Sequence, residues 1–353
     1  MRHGLTTRLS SLLFLAAAAS PVSAAGLLAS LAGNLLNTTG DVVGAVTEPL
    51  DGLLVGATLL TPPGVDHVLI QLQGNNLQLA AGTAAFDASF EHGGRSRRFV
   101  VIRPEPVVAN APVLLLFHGN GGTAENQANL SEVSDLVAAE GVWAVMPASV
   151  DGVWDDDPAR PKGLDDVGFV AALLDRLQAN FPVDMDRIYA AGLSNGSFMA
   201  SRLACEASDR IAGFGIVAGS LTGGLARSCA PLRPRPLMLV AGTRDPIVPY
   251  NGGRIGVRSV PDAYAFWLGM HGCNVAQTQS SSMPDLESDG TTIDLKWNNA
   301  CGSGRELRLY TVNGGGHAWP GGWQYLPVPL IGTTSRDMKV TREVWEFLRD
   351  QRR

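Results

Sequence analysis

The stretch Ala190-Ala191-Gly192-Leu193-Ser194-Asn195-Gly196 decides the fold of this chain. It follows an apolar run that predicts a buried strand, and it precedes residues 197–205, which favour a helix. A G-x-S-x-G sequence between a strand and a helix is typical of a sharp turn that lifts a serine hydroxyl above a sheet. The glycines allow the turn, and the N-terminus of the following helix favours negative charge nearby. We therefore predict Ser194 as a nucleophile.

Strand and helix patterns alternate from residue 86 to the C-terminus. This alternation predicts an α/β fold with a mostly parallel central sheet. The middle strands are apolar on both sides, as expected when helices cover both faces of the sheet. The predicted strands are residues 98–102, 113–117, 142–146, 187–191, 213–217, 237–241 and 307–312, and the predicted helices begin near Asn129, Asp166, Asn195, Pro261 and Thr341.

A serine hydroxyl is a weak nucleophile until a base removes its proton. With a turn of this kind, the order along the chain is serine, then a carboxylate, then histidine. Of the six histidines, only His271 and His317 follow the serine. His317 comes after a predicted strand and a glycine-rich loop, whereas His271 resembles the end of a helix. We predict His317 as the base.

The predicted acid is Asp245, which follows the apolar strand at residues 237–241. A carboxylate at the end of that strand can hold an imidazole in one tautomer and stabilise the imidazolium formed during attack. Asp262 is the alternative, because it also lies between the serine and His317. It resembles the first turn of a helix, however, so Asp245 is preferred.

Attack on a carbonyl creates an oxyanion, which needs backbone N–H donors already in place. The sequence His118-Gly119-Asn120-Gly121-Gly122 follows a predicted strand and matches a loop of this kind. The predicted donors are the backbone N–H groups of Asn120 and of Asn195, the residue after the nucleophile.

Two further features have a functional and a structural interpretation. Trp319 and Trp154 are candidates for substrate binding, although core packing explains Trp154 and Trp323 at least as well. The run Asp155-Asp156-Asp157 could bind calcium, but such a run is more often a solvated face, so we expect no metal site.

The formal net charge of the chain is −6, and its Lys and Arg residues form no groove-sized patch. Nucleic acid is therefore an unexpected partner. At the N-terminus, Arg2 and Arg8 precede or flank a short apolar run that ends in small residues. This pattern predicts a secretory signal peptide at residues 1–25, an extracellular or periplasmic location and no stable membrane insertion. We further predict an extension of uncertain structure at residues 26–85 and a catalytic domain at residues 86–353.

Four cysteines remain after the predicted leader. An even number in an exported chain favours two disulfides over four buried thiols. Of the three possible connectivities we choose the pairs nearest in sequence, which are Cys205 with Cys229 and Cys273 with Cys301.

A set of motifs extends over most of the chain from residue 86. In chain order they are Leu116-Phe117-His118-Gly119, Asp166-Val167-Gly168-Phe169, Asp186-Arg187-Ile188-Tyr189, Gly192-Leu193-Ser194-Asn195-Gly196, Arg202-Leu203-Ala204-Cys205-Glu206, Gly242-Thr243-Arg244-Asp245 with Val248-Pro249-Tyr250, and Gly316-His317-Ala318-Trp319-Pro320-Gly321. With these motifs the region resembles the single-domain polyhydroxybutyrate depolymerases and the feruloyl and acetyl xylan esterases, which have the α/β-hydrolase fold.

The resemblance implies ester hydrolysis through an acyl-enzyme without a cofactor. The implied substrates are poly- or oligo-3-hydroxybutyrate, or feruloyl and acetyl esters of plant polysaccharide. Ser197 departs from the family, which often has glycine there, and residues 27–85 look unlike it. The short stretch after His317 favours soluble oligomers or short esters over insoluble polyester. Because a triad alone does not select the substrate, a serine peptidase or acyltransferase is the alternative, and a catalytically inactive binding protein is a third hypothesis.

Overall fold

A computed structural model describes residues 69–71, 77–253 and 255–353 of the chain. The predicted signal peptide and most of the predicted extension lie outside these residues. In the part of the chain that is described, none of the helices is long and apolar enough to cross a membrane.

Eleven strands of the described residues form one sheet. They are β1 (Leu69–Gln71), β2 (Thr83–His92), β3 (Arg95–Pro104), β4 (Ala111–Phe117), β5 (Trp143–Pro147), β6 (Val183–Leu193), β7 (Gly213–Val217), β8 (Leu237–Gly242), β9 (Gln279–Ser282), β10 (Thr292–Asn298) and β11 (Leu307–Asn313). Their order across the sheet is β1-β2-β3-β5-β4-β6-β7-β8-β11-β10-β9.

The helices in the described part of the chain are mostly short. They are α1 (Ala124–Ser131), α2 (Val133–Glu140), α3 (Asp166–Asn180), α4 (Asn195–Glu206), α5 (Gly223–Ser228), α6 (Val260–Met270), α7 (Val328–Ile331) and α8 (Val340–Leu348), and a single 3₁₀ turn spans Val275–Gln277.

The middle of the sheet is parallel, and both of its edges are antiparallel. Strands β5, β4, β6, β7, β8 and β11 pair in parallel, whereas β3 joins β5 in the antiparallel sense. Strands β1 and β2 extend one edge, and β10 and β9 extend the other. The molecule therefore has the α/β-hydrolase fold. The carboxyl ends of parallel strands all lie at the same end of the strands. The loops after β4, β5, β6, β8 and β11 therefore lie together at that end of the sheet.

The seven strands predicted from apolar runs are confirmed as β3 to β8 and β11. Helices α3, α4, α6 and α8 begin within one residue of their predicted starts. The predicted start near Asn129 is wrong, because Asn129 lies inside α1, which is capped by the Thr123 side chain. Glu132 then takes a left-handed conformation (φ 51°) that separates α1 from α2. Strand β1 and the first residues of β2 belong to the region that we predicted as an extension.

The hydrophobic core occupies both faces of the sheet. In β4, all seven side chains are buried, and alternate residues point to opposite faces. Val113, Leu115 and Phe117 join the cluster that packs under α3, α4 and α6. Leu114 and Leu116 join the cluster that packs under α1, α2 and α8. This double coverage explains why the middle strands are apolar throughout.

Both predicted disulfides are present. Cys205 of α4 is bonded to Cys229, which follows α5, and Cys273 after α6 is bonded to Cys301 before β11. No cysteine among the described residues is free. The predicted nearest-neighbour pairing is confirmed.

Candidate active site

Ser194 lies at the junction between β6 and α4, as the sequence predicts. Its backbone has φ 55° and ψ −120°, a conformation that costs about 1–3 kcal/mol for a residue with a side chain. The turn is also very tight. A Cβ atom at Gly192 would lie 2.2 Å from the carbonyl oxygen of Gly196, and one at Gly196 would lie 2.2 Å from that of Phe117. Glycine is therefore required on both sides of the serine.

The strained turn is held by hydrogen bonds on both sides of Ser194. Its backbone N–H donates to the carbonyl oxygen of Val217 in β7 at 3.0 Å. Its own carbonyl accepts from the Ser197 hydroxyl at 2.6 Å. Ser197, which departs from the family pattern, is fully buried and thus ties the first turn of α4 to Ser194. In the sequence, the only sign of this contact is that position 197 is serine rather than glycine.

His317 and Asp245 meet in a buried hydrogen bond between the ends of β11 and β8. The His317 Nδ1 atom lies 2.6 Å from the Asp245 Oδ2 atom. The other carboxylate oxygen accepts from the backbone N–H groups of Ile247 and Val248, both at 2.8 Å. Because the carboxylate only accepts, the proton of a neutral His317 lies on Nδ1 and leaves Nε2 with a free lone pair.

The other two candidates for base and acid lie elsewhere. His271 ends α6, and its ring nitrogens face the carbonyl oxygens of Trp267 and Arg235 at 2.9 and 2.7 Å. Burial lowers the pKa of His271, against the effect of these two carbonyls. Asp262 lies in the exposed first turn of α6, where its backbone N–H is capped by Ser259. Both positions match the structural interpretation of the sequence.

Tyr325 supports the His317 loop, and the sequence contains no pattern that would have identified it. Its hydroxyl donates to the carbonyl oxygen of His317 at 2.9 Å. Burial, assisted by the negative charge of Asp245, raises the pKa of Tyr325. The phenol therefore stays protonated and remains a donor at neutral pH.

No hydrogen bond joins Ser194 Oγ to His317 Nε2, although both residues lie in the described part of the chain. The Ser194 side chain is partly exposed, and no described residue hydrogen-bonds to its hydroxyl. Hydrogen bonds between catalytic groups are often long in the absence of substrate and tighten when it binds.

The loop after β4 lies against Ser194. A Cβ atom at Gly119 would be 3.4 Å from the Cβ of Ser194. The Gly119 carbonyl accepts from His118 Nδ1 at 2.8 Å and from the backbone N–H of Gly122 at 3.0 Å. Since the Asn120 N–H belongs to the same planar peptide unit, these two bonds also fix its direction.

His118 is a buried, neutral histidine in this loop. Burial lowers its pKa to about 4, against a smaller opposing effect of its bond to Gly119. Its Nε2 atom accepts from the backbone N–H of Ser149 at 3.2 Å, so the ring proton lies on Nδ1 and is donated to Gly119. The loop therefore holds His118 in the tautomer with its ring proton on Nδ1.

The tryptophans predicted to bind substrate are interior residues. Trp154 is 0% exposed and Trp319 is 1% exposed. The indole N–H of Trp154 donates to the carbonyl of His118 at 3.0 Å, and that of Trp319 donates to Thr341 Oγ1 at 2.9 Å. Neither ring offers a surface to a ligand here, which corrects that prediction. Trp323 is 38% exposed.

The acidic run Asp155-Asp156-Asp157 is buried, which corrects the expectation of a solvated face. Its carboxylates are used within the protein. Asp155 accepts from the backbone N–H groups of Lys162 and Leu164, Asp156 pairs with the Lys162 ammonium, and Asp157 accepts from the N–H of Ala159. Across residues 77–253 and 255–353, no cluster of three or more His, Cys, Asp or Glu side chains could hold a metal ion.

Comparison with known proteins identifies relatives of this chain, although no family model matches it. It is 30% identical over 256 residues to the putative esterase NocK of Nocardia uniformis subsp. tsuyamanensis, covering 67% of this chain and 74% of that protein. It is 28% identical over 225 residues to feruloyl esterase B of Piromyces equi, covering 59% of this chain but only 40% of that protein. Poly(3-hydroxyalkanoate) depolymerase C of Paucimonas lemoignei is 28% identical over 123 residues, covering 33% of this chain and 30% of that protein.

Fold and relatives together define a carboxylic-ester hydrolase of the α/β-hydrolase type. Within that class, the chain belongs to the esterase family of NocK. Feruloyl esterase B and poly(3-hydroxyalkanoate) depolymerase C are more distant relatives.

Proposed function

We propose that this protein is an exported serine esterase that works through an acyl-enzyme on Ser194, with His317 as the base and Asp245 as the acid. The observation that carries the proposal is the buried hydrogen bond between His317 Nδ1 and Asp245 Oδ2. It lies at the carboxyl ends of the parallel strands, as does the strained Ser194 turn. That bond leaves His317 Nε2 as the proton acceptor.

In the acylation step, Ser194 Oγ attacks the carbonyl carbon of the ester while His317 Nε2 takes the hydroxyl proton. The oxyanion that forms accepts hydrogen bonds from the backbone N–H groups of Asn120 and Asn195. The tetrahedral intermediate then collapses and its ester C–O bond breaks. The departing alkoxide takes the proton from His317, and Ser194 is left acylated.

In the deacylation step, His317 removes a proton from water and the hydroxide attacks the acyl carbon. The same two N–H groups hold the second oxyanion. When this intermediate collapses, Ser194 Oγ regains a proton from His317 and the carboxylic acid leaves. Water is the only co-reactant, so this sequence of steps requires no cofactor.

The proposed substrates are feruloyl or acetyl esters of plant polysaccharide. Their support is the feruloyl esterase alignment, which covers 59% of this chain. Oligomers of 3-hydroxybutyrate are the second candidate, because the depolymerase alignment covers 33%. Export is supported by the two disulfides, which persist in oxidising compartments, and by the predicted signal peptide.

A panel of substrates tests the proposal. Methyl ferulate, acetylated xylan, 3-hydroxybutyrate oligomers, p-nitrophenyl acetate and a peptide amide are each incubated with the wild type, with Ser194→Ala and with Ser228→Ala. Ser228 is an exposed serine at the end of α5 and serves as the matched control. We expect Ser194→Ala to lower kcat by about three orders of magnitude or more, because triad members act as a unit. Ser228→Ala retains activity.

Each outcome has a definite meaning. Release of ferulate or acetate supports the polysaccharide esterase, and release of hydroxybutyrate alone moves the substrate to polyester. Peptide cleavage without ester cleavage would identify a peptidase. Ester hydrolysis that is unchanged in Ser194→Ala contradicts the proposed nucleophile.

A further inference from the structure

Trp154 connects the two loops that carry the proposed oxyanion donors. Its indole N–H donates to the carbonyl oxygen of His118 at 3.0 Å, at the start of the loop after β4. Its backbone N–H donates to the side-chain Oδ1 of Asn195 at 2.7 Å, in the first turn of α4. The Asn195 side-chain amide donates a longer hydrogen bond, of 3.5 Å, to the Trp154 carbonyl. One residue thus bonds to both sides of the site.

The Trp154 ring is itself fixed by its neighbours. It is completely buried and makes an edge-to-face contact with Phe117, with ring centres 5.2 Å apart. The centre of the His118 ring lies 5.1 Å from that of the indole. Because rotation of the indole would open a cavity in this packed region, its N–H stays directed at the His118 carbonyl.

The backbone of Trp154 belongs to a segment that we call the clamp loop, residues 149–157, which follows β5. Within it, the Gly152 carbonyl accepts from the backbone N–H of Gly121 at 2.8 Å. Near its end, the Asp155 N–H donates to Asp166 Oδ2 at 2.7 Å. Asp166 in turn pairs with Arg97 at 2.5 Å, and both side chains are buried. The clamp loop is therefore anchored to strand β3 and helix α3.

We propose that Trp154 is a positioning residue that fixes the separation and direction of the Asn120 and Asn195 N–H donors. This inference rests on the proposed function. Trp154 is buried and cannot reach the substrate, so it acts only through His118 and Asn195. Oxyanion donors accelerate a reaction only when they are held in place beforehand. A misplacement of ~1 Å can cost about 10²-fold in rate.

The variant Trp154→Phe tests this role, because it retains an aromatic ring and removes the indole N–H. Trp143→Phe is the matched control, since Trp143 is equally buried at the far end of β5 and its indole N–H has no partner in the described residues. Ester kinetics and binding of a boronic acid are measured for both. A boronic acid bound to Ser194 places an oxygen where the oxyanion forms, so its affinity reports the donors directly.

For Trp154→Phe we expect kcat to fall by about tenfold with KM within about twofold, and boronic acid affinity to fall by about the same factor as kcat. Trp143→Phe leaves all three values close to wild type, whatever it does to the melting temperature. Unchanged kcat and boronic acid affinity in folded Trp154→Phe would overturn the inference and assign Trp154 to packing alone.

Asn195→Ala provides a second test from the other side of the clamp. It removes the acceptor of the Trp154 N–H and retains the backbone N–H of residue 195, so the same decrease in kcat and boronic acid affinity is expected. It also keeps the inference testable when Trp154→Phe does not fold. If the wild type hydrolyses esters through Ser194 and both variants match it, the positioning role fails and the proposed function stands. If the wild type neither hydrolyses esters nor binds the boronic acid, both fail.

Discussion

At the scale of single residues, the hydrogen bonds of Asp245 make a sharp prediction about the acid. Its carboxylate accepts from the His317 ring and from two backbone N–H groups. Asp245→Asn retains the shape but can present an amide N–H to the imidazole, which favours the wrong tautomer. We expect kcat to fall by about 10⁴-fold, as in other triads.

Asp262→Asn is the control for this variant, because Asp262 is the other carboxylate that the sequence offered. It is exposed in α6, so activity should remain at the wild-type level. Hydrolysis of p-nitrophenyl acetate by both purified variants measures the difference. A loss in Asp262→Asn with normal turnover in Asp245→Asn would reverse the assignment.

A second prediction at this scale concerns pH and His118. Burial lowers its pKa from about 6.5, the value in an unfolded chain, to about 4. The unfolded chain therefore binds more protons between these values, and stability falls as the pH is lowered through this window. The depressed pKa is worth about 3 kcal/mol, which is present above pH ~6.5 and lost by pH ~4.

Urea unfolding of the wild type and His118→Asn at several pH values between 6.5 and 4.5 measures the contribution of His118 to stability. The asparagine can still donate near Gly119 but does not titrate, so the free energy of unfolding should depend less steeply on pH. Some slope remains because burial also lowers the pKa of His271. Equal slopes in the two proteins would show that His118 titrates normally.

At the scale of helices and strands, the positions of the candidate site residues could be predicted where a buried strand appears in the sequence as an apolar run. The parallel strands are covered on both faces, so β4 and β8 appear as unbroken apolar runs, and the loops that follow them contain His118 and Asp245. The antiparallel edge strands leave a weaker pattern. Strand β9 is polar and fully exposed, and it was not predicted.

Contacts between distant elements could not be predicted in this way. The single helix expected near Asn129 is divided by the left-handed backbone at Glu132, which no local pattern indicates. Trp154 was interpreted as a substrate-binding residue because an exposed and a buried tryptophan look alike in a sequence. Its bonds to His118 and Asn195 connect three loops that are far apart along the chain.

The two disulfides allow a prediction about stability. Cys205 ties α4 to Cys229 across 24 residues, and Cys273 is tied to Cys301 across 28. In the chain-entropy model, loops of such similar length each stabilise by about 3 kcal/mol. The variants Cys205→Ser/Cys229→Ser and Cys273→Ser/Cys301→Ser should therefore lose similar stability in urea unfolding, and each serves as the control for the other. If neither double variant loses stability, the bridges do not constrain the unfolded chain.

At the scale of the whole molecule, the buried pair Arg97–Asp166 joins the sheet to helix α3. The two side chains are 2% and 0% exposed, and the Arg97 guanidinium also lies 3.8 Å from the centre of the Phe169 ring. Breaking such a pair leaves one charge buried without its partner, which typically costs about 3–5 kcal/mol. Asp166→Asn should lower the free energy of unfolding by about that amount, as measured by urea unfolding.

The exposed pair Arg210–Asp175 is the matched control, with side chains 26% and 65% exposed. Water screens this pair, so Asp175→Asn should change the stability by less than about 1 kcal/mol. A loss in Asp166→Asn no larger than that would mean that water or a rearranged partner reaches Arg97.

The same variant separates stability from catalysis. The side-chain carbonyl of the asparagine in Asp166→Asn can still accept from the Asp155 N–H, so the clamp loop keeps its bond to α3 although the link to β3 is lost. We therefore expect kcat below the melting transition to stay near wild type. Trp154→Phe should show the opposite behaviour, with lower kcat, if the indole N–H bond that it removes positions the proposed oxyanion donors.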